Sequence, residues 1–585
     1  MEPKREDKRK KKRKKKRQAM FAKAIPVVIA IVLIIAIVGI FYGETLIESV
    51  YYTSEREDLN QYFGLVEEDD IAIMLQDAHV DEKAKLVDGN CYFDIATVEK
   101  YFTDRFYINK EEGIVLYTTE KDIYKTNIGK EYSYYSVSGA GENALGCPAA
   151  ILLGEDVYLS AEYVNIFANF SYEFFEEPNR MLLYTEWGNR QSANIVKDTK
   201  IRYQGGVKSP ILADVAEGDT VYVLETMEKW SKVISTDGII GYVENKKLEM
   251  GDVVAQTPVT DAVVLNYQSI SHEGKINMAF HQVFNEGANS TFDSYTANTK
   301  GVNVIAPTWF RIADNEGTME CIASSDYVTK AHNKGMQVWA VVTDVDYEVN
   351  IGAILASSEK RGAMVSLLIS YAQQYGLDGI NVDFETVGAE YGDDFIQFLR
   401  ELSIQTHANN IVLSVDNYAP TASTMYYNRT EQGLVADYVI IMGYDEHWGG
   451  SQITGSVASI NFVENGIMNT MEEVPAEKII NAIPFYTRLW KTEGGTVSSE
   501  AIGMDMAQNW VNTNGVEVYW DNETCQYYGE IQKDGTLYQI WLEESESIQV
   551  KLNVMDANNI AGVAEWKLGF ENASVWDIIE TYTNS

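Results

Sequence analysis

The stretch Asp378-Gly379-Ile380-Asn381-Val382-Asp383-Phe384-Glu385 alternates apolar and polar residues after its glycine. In an extended strand, alternate residues share a face. Ile380, Val382 and Phe384 then form one face, and Asn381, Asp383 and Glu385 the other. The apolar face is expected to pack outward against helices, and the polar face to point into an interior. Two carboxyls and an amide are expensive to withdraw from water unless they bond one another or serve a site. Carboxyl groups gathered in this way are suited to moving protons on and off a substrate.

A scaffold must hold such a strand. From about residue 262 the chain alternates apolar strand candidates with helical patterns. The strands begin near Ile276, Val302, Met336, Gly379, Ile411, Tyr438, Ile479 and Ala561. Met364, Leu367, Leu368 and Tyr371 recur at helical spacing, as do Phe395, Phe398, Leu399 and Leu402. Eight strands with intervening helices predict an α/β protein built on a (β/α)8 TIM barrel over residues 262–585. Active sites of such barrels lie at the C-terminal strand ends, which is where Glu385 falls on the fourth strand. The long gap before the eighth strand holds alternating stretches (Val516 to Trp520, Leu537 to Leu542) that predict a small inserted β-rich subdomain.

The Asp378–Glu385 segment resembles the DGxDxDxE signature of glycoside hydrolase family 18, the chitinase family. Met442-Gly443-Tyr444-Asp445 is similar to the family's strand-six M-x-Y-D, and Trp566 in AEWKLG to the strand-eight tryptophan that floors the sugar site. Pro307-Thr308-Trp309-Phe310, the Asn381 variant of the signature and Pro484-Phe485-Tyr486 resemble the spore cortex-lytic N-acetylglucosaminidase branch, which acts on peptidoglycan. So does Ile540-Trp541-Leu542 followed by Ser547-Ile548-Gln549. The resemblance covers roughly residues 265–580. The sequence departs from the family at three points. Asn381 replaces the middle aspartate, Val341-Val342-Thr343-Asp344 replaces the strand-three Ser-x-Gly-Gly, and LysM repeats are absent.

The resemblance implies a retaining, substrate-assisted hydrolysis of β-1,4 bonds at N-acetylglucosamine, without metal or cofactor. Asp383 and Glu385 lie side by side, their Cα atoms about 6.6 Å apart at strand rise. They cannot straddle a sugar as the two carboxyls of ordinary glycosidases do. The substrate's 2-acetamido oxygen is expected to attack the anomeric carbon while Glu385 protonates the leaving oxygen. The Asp383 carboxylate beside it is expected to raise its pKa. Asp383 would orient the acetamido N–H, Asn381 would donate to Asp383, and Tyr444 would bond the acetamido carbonyl. Asp445 would hold hydroxyls and Trp566 would face the sugar, unless Tyr444 and Trp566 only fill the core. Met442, Tyr486, Arg488 and Trp309 complete the expected substrate-binding set. The alternatives are a chitinase or a non-catalytic, lectin-like wall protein. Glu385 separates the last of these, because lectin-like relatives usually lose that acid.

The remainder of the chain predicts how the barrel is delivered. Residues 1–23 form a basic tail, with twelve Lys/Arg between Lys4 and Arg17, against a net charge of −39 for all 585 residues. The acidic body is expected to repel nucleic acid and anionic lipid. Residues 24–43 predict a transmembrane helix, since the uncharged run Ala24 to Tyr42 would span roughly 28 Å. The basic block before it places the tail in the cytoplasm and the rest outside, at the cell membrane. Residues 44–189 carry an internal repeat at an offset of 66. Tyr92 matches Tyr158, Val98 Val164, Tyr101 Phe167 and Phe106 Tyr172, each unit reading as strand, helix, strands. This region resembles the small N-terminal stalk domain of copper amine oxidases, without a His cluster. Residues 190–250 resemble a bacterial SH3-like domain, on Val221 to Leu224, Trp230-Ser231-Lys232-Val233 and Gly241-Tyr242-Val243. None of the four cysteines has metal-ligand spacing. Cys91 and Cys147 fall in one region, where a disulfide or free buried thiols are both open.

Overall fold

The structure is a computed structural model that describes residues 4–129, 131–139, 141–345 and 348–585, without the side chains of 4–9, 17–23 and 41–50. The chain divides into two compact units, residues 1–104 with 146–263, and residues 105–145 with 264–585.

In the second unit, eight parallel strands close into a barrel. They are β1 (Ile276–His281), β2 (Val304–Ile312), β3 (Gln337–Thr343), β4 (Gly379–Asp383), β5 (Val412–Tyr418), β6 (Tyr438–Met442), β7 (Ile479–Pro484) and β8 (Gly562–Trp566). Each pairs with the next, and β8 pairs with β1 to close the ring. All eight agree with the strand positions read from the sequence. Alternation sorts their side chains into two layers. Met278, Ala306, Val341, Ile440 and Ala564 fill the interior, whereas Ile380, Val382, Phe384, Leu413 and Val415 meet the surrounding helices. The predicted helical patterns lie on helices Ser358–Tyr375 and Gly392–Ala408, with Phe395, Phe398, Leu399 and Leu402 fully buried.

The predicted insertion follows β7 directly. Its five antiparallel strands, from Tyr486–Glu493 to Thr536–Leu542, carry the helix Met504–Asn514. A buried ion pair ties its last strand to the next helix. Lys551 Nζ lies 2.8 and 2.9 Å from the two carboxylate oxygens of Glu543, which also accept from Gln526 Nε2 and Ser547 Oγ.

Residues 105–145 also belong to this unit, although the sequence places them inside the stalk. They form a five-stranded antiparallel meander. It is bolted to the barrel helices by polar bonds. The Tyr107 hydroxyl donates to Asp394 Oδ1 at 2.6 Å, Asn109 Nδ2 donates to the Ala356 carbonyl at 2.8 Å, and Arg105 pairs with Glu431.

In the first unit the internal repeat is explicit. Strand Asn90–Asp94 leads into helix Ile95–Tyr101, and strand Asp156–Ser160 into helix Ala161–Phe167. The N-caps, Asp94 and Ser160, are 66 residues apart and bond the third residue of each helix. The two strands pair antiparallel about Phe93 and Leu159, so Tyr92 meets Ser160 and Asp94 meets Tyr158. Equivalent residues thus exchange places across a local two-fold. The pieces predicted over 190–250 form a seven-stranded antiparallel sheet. It shares one apolar core with the repeat sheet, where Met74 and Leu182 join Ile201, Val221 and Val233.

All four cysteines are free thiols, so Cys91 and Cys147 make no disulfide. Among the described residues, no helix is long and apolar enough to cross a membrane. The predicted span lies within helix Lys4–Tyr51. Its described side chains, 24–40, are exposed, and those of 41–43 fall outside the described residues.

Candidate active site

β4 enters the barrel at a crowded base. A Cβ on Gly379 would sit 2.6 Å from a ring carbon of Trp339, which fills the interior there. The preceding Asp378 is structural. Its Oδ2 bonds His332 Nε2 and accepts from the Val338 amide, both at 2.8 Å. Since Ile380, Val382 and Phe384 are buried in the outer layer, Asn381, Asp383 and Glu385 face inward, as their spacing predicts.

Asn381 does not reach Asp383 as expected. Its amide nitrogen donates instead to Ser414 Oγ and Asp416 Oδ1, both at 3.0 Å and both on β5. It is fully buried, so it is a support beneath the site and not a substrate contact.

The acids above it are half-buried. The Asp383 carboxyl is held well above the usual carboxylate range. Burial contributes most, followed by Asp416, Glu385 and Asp344, while a bond from Thr343 acts in the opposite sense. Glu385 is also raised, first by burial and then by Asp344 and Asp445. The Tyr418 hydroxyl, which donates to its Oε2 at 2.6 Å, pulls it back. A carboxyl whose pKa is raised is the better proton donor to a leaving oxygen.

Asp344, at the end of β3, fixes the turn that carries Glu385. Its carboxylate accepts from the Glu385 amide at 2.9 Å, the Thr386 amide at 3.0 Å and the Thr386 hydroxyl at 2.6 Å. This carboxylate occupies the place where the small Ser-x-Gly-Gly stretch was absent from the sequence.

The loop after β6 brings the next residues. Gly443 permits the chain to pass within 2.6 Å, measured from an added Cβ, of the Ala482 carbonyl. Tyr444 is half-buried beside the acids. Its phenol is pushed far up by burial, then by Asp416, Tyr486, Asp383 and Glu385. Asp445 stands exposed at φ 59° and accepts from the Tyr486 hydroxyl at 2.6 Å. The Tyr444 and Tyr486 rings meet edge to face at 6.2 Å. Trp566, half-buried at the end of β8, packs 5.4 Å from Phe280 and leaves part of its ring uncovered.

Two predicted contacts, Trp309 and Met442, are buried. Trp309 is fully buried in the layer between barrel and helices. Its indole Nε1 donates to Asn289 Oδ1 at 2.8 Å and its ring packs on Tyr327, so it cannot meet a sugar. Met442 is buried at the end of β6. Arg488, at the start of the inserted subdomain, donates to Ser499 Oγ at 3.0 Å and lies against the loop after β6, where an added Cβ on Gly449 would stand 3.2 Å from its guanidinium.

Three residues of the cluster escaped the sequence reading, namely Asp344, Asp416 and Tyr418. A signal for Asp416 was present. In Val412-Leu413-Ser414-Val415-Asp416, an acid occupies an interior position of an apolar strand.

The family model described as glycosyl hydrolases family 18 matches residues 238–571. The uncharacterized glycosylase YvbX of Bacillus subtilis is 24% identical over 314 residues, 51% of this chain and 90% of its own. The cortical fragment-lytic enzyme of Bacillus anthracis is 23% identical over 286 residues, 46% of this chain and 66% of its own. Among solved structures, the spore cortex-lytic enzyme SleL of Bacillus cereus superposes with a TM-score of 0.48 at 20% identity, covering 57% of this chain and 78% of that one.

Proposed function

The chain belongs to glycosyl hydrolases family 18 and is a glycosidase; from that premise we propose that it cleaves β-1,4 bonds at N-acetylglucosamine in peptidoglycan. The observation that carries this reading is Glu385, its carboxyl pKa raised by burial, set beside Asp383 and Tyr444 at the open end of the barrel. The choice of peptidoglycan leans on the relatives named cortical fragment-lytic enzymes.

The reaction follows from the cluster. The 2-acetamido oxygen of the bound sugar attacks the anomeric carbon as Glu385 gives its proton to the departing oxygen. This closes an oxazolinium ring without a second carboxylate across the bond. Asp383 takes the acetamido N–H and its negative charge offsets the ring's positive charge. Tyr444 donates to the acetamido oxygen and Asp445 holds a hydroxyl. Water, giving its proton to Glu385, then attacks the anomeric carbon from the face that the leaving group vacated and breaks its bond to the acetamido oxygen, so the acetamide and the acid are regenerated and configuration is retained.

The exposed apolar run Ala24–Ile40, twelve of whose large side chains are open, is proposed as a membrane anchor, its basic flank lying in the cytoplasm. The first unit, with its stalk-like and SH3-like sheets, would be a spacer or wall contact outside. The full chain should then sediment with membranes and be released by detergent; recovery in the soluble fraction would reject the anchor.

Mass spectrometry of products from purified peptidoglycan and from chitin oligomers tests the substrate. Fragments ending in reducing N-acetylglucosamine are expected from the wall. Cleavage of chitin oligomers with none of the wall would turn the reading to a chitinase, and cleavage of neither would leave a binding protein.

A further inference from the structure

Asp416 is a buried acid that the reaction above does not use. It stands on β5 one step beyond the last paired residues, Val382 of β4 and Val415 of β5, and so lies level with Asp383. Neighbouring strands are about 4.8 Å apart. From β4 it is faced by Asn381, Asp383 and Glu385, from its own strand by Ser414, and from the loop after β6 by Tyr444. Asn381 fixes its orientation by donating to Oδ1 at 3.0 Å, which leaves Oδ2 as the other oxygen.

Two carboxyls this close, away from water, do not both ionise. Burial pushes both carboxyls up, Asp416 to about 8 with Glu385 adding and the Asn381 amide opposing, and Asp383 well above its usual range with Asp416 and Glu385 adding. Asn381 cannot share a proton in this way, because an amide does not titrate at these pH values. The proton-holding partner that the family signature carries on strand four is therefore missing from that strand, and an acid stands beside it on strand five.

We propose that Asp416 and Asp383 form one proton-sharing pair, in which a single proton lies between the two carboxyls and, once the acetamido N–H binds Asp383, is held on Asp416 and donated as a hydrogen bond to Asp383. This rests on the reading of the site given above. The pair carries one negative charge through the whole cycle, located on Asp383 once the acetamido N–H of the substrate donates to it. No proton leaves it, so Asp383 meets the acetamido N–H and then the oxazolinium as an anion. Asp416 is a positioning residue, since it acts through Asp383.

Two variants of the full chain separate this from a merely structural role. Asp416→Asn keeps an acceptor for Asn381 and a donor towards Asp383, and should keep most of the activity. Asp416→Leu lacks the donor and should lower kcat by about 100-fold with KM little changed. Infrared difference spectra with 13C-labelled aspartate should show a protonated aspartic carboxyl at neutral pH in the parent and none in Asp416→Asn. An unchanged band in that variant, or no such band in the parent, would overturn the pair. Equal activity of the Leu and Asn variants would do the same. Should the Leu variant fail to fold, the band decides alone. Glu385→Gln serves as the control. If it hydrolyses like the parent, the reading of the site has failed, whereas an inactive Glu385→Gln beside an unaltered band defeats the pair alone.

Discussion

The Tyr418 hydroxyl donates to Glu385 Oε2 at 2.6 Å, and that bond favours the ionised carboxyl. Burial and the acids Asp344 and Asp445 favour the protonated one. Glu385 is thus held between opposing influences, of which only the tyrosine is easily removed. Tyr418→Phe should raise the Glu385 pKa further. Because Glu385 must carry a proton to act, the alkaline limb of kcat/KM should move to higher pH. A limb that stays in place, or moves down, would show that another group sets it. Tyr444 and Asp445 were legible from their motif, but Tyr418 was not. A tyrosine at a strand end has many uses, and its distance from Glu385 in the chain conceals their contact.

Among the elements, β4 was readable because its own alternation separates the layers. The three polar residues among Ile380, Val382 and Phe384 can only face inward. The companions from β3 and β5 were harder to see, since Asp344 and Asp416 are single acids with no spacing to mark them. Trp309 shows the opposite failure. Its motif suggested a sugar contact, but β2 shifts register against β3 between Thr308 and Phe310, and Trp309 lies in the outer layer. The base of β4 is equally demanding. An added methyl on Gly379 meets the Trp339 ring at 2.6 Å in the closed interior. Gly379→Ala should therefore destabilise the barrel by about 1–3 kcal/mol, read as a lower denaturant midpoint. An unchanged midpoint would mean that the indole can move aside.

At the scale of the molecule, the eight strands and the insertion were legible, because each strand is a short apolar run and the insertion interrupts their rhythm. The division of the chain was not. Residues 105–145 follow the first repeat in sequence, yet they form a meander on the barrel helices, held by Arg105, Tyr107 and Asn109. In the second copy the equivalent strands, Ser171–Phe175 and Arg180–Tyr184, complete the repeat sheet. A repeat in sequence predicts like elements but not like partners. The insertion depends on the sealed Lys551–Glu543 pair, whose side chains are each 1% exposed. Lys551→Met would leave Glu543 buried without its cation, and should cost about 3–5 kcal/mol in thermal or chemical unfolding. A loss below 1 kcal/mol, by contrast, would mean that Gln526 and Ser547 suffice for the acid.

Glu385 as the proton donor is the step on which the whole reaction depends. Reducing ends released from purified peptidoglycan should be counted for the parent and for Glu385→Gln, with circular dichroism confirming that both are folded. The variant, which keeps the shape and loses the proton, should release them at least about 100-fold more slowly. Equal rates from two folded proteins would contradict the assignment.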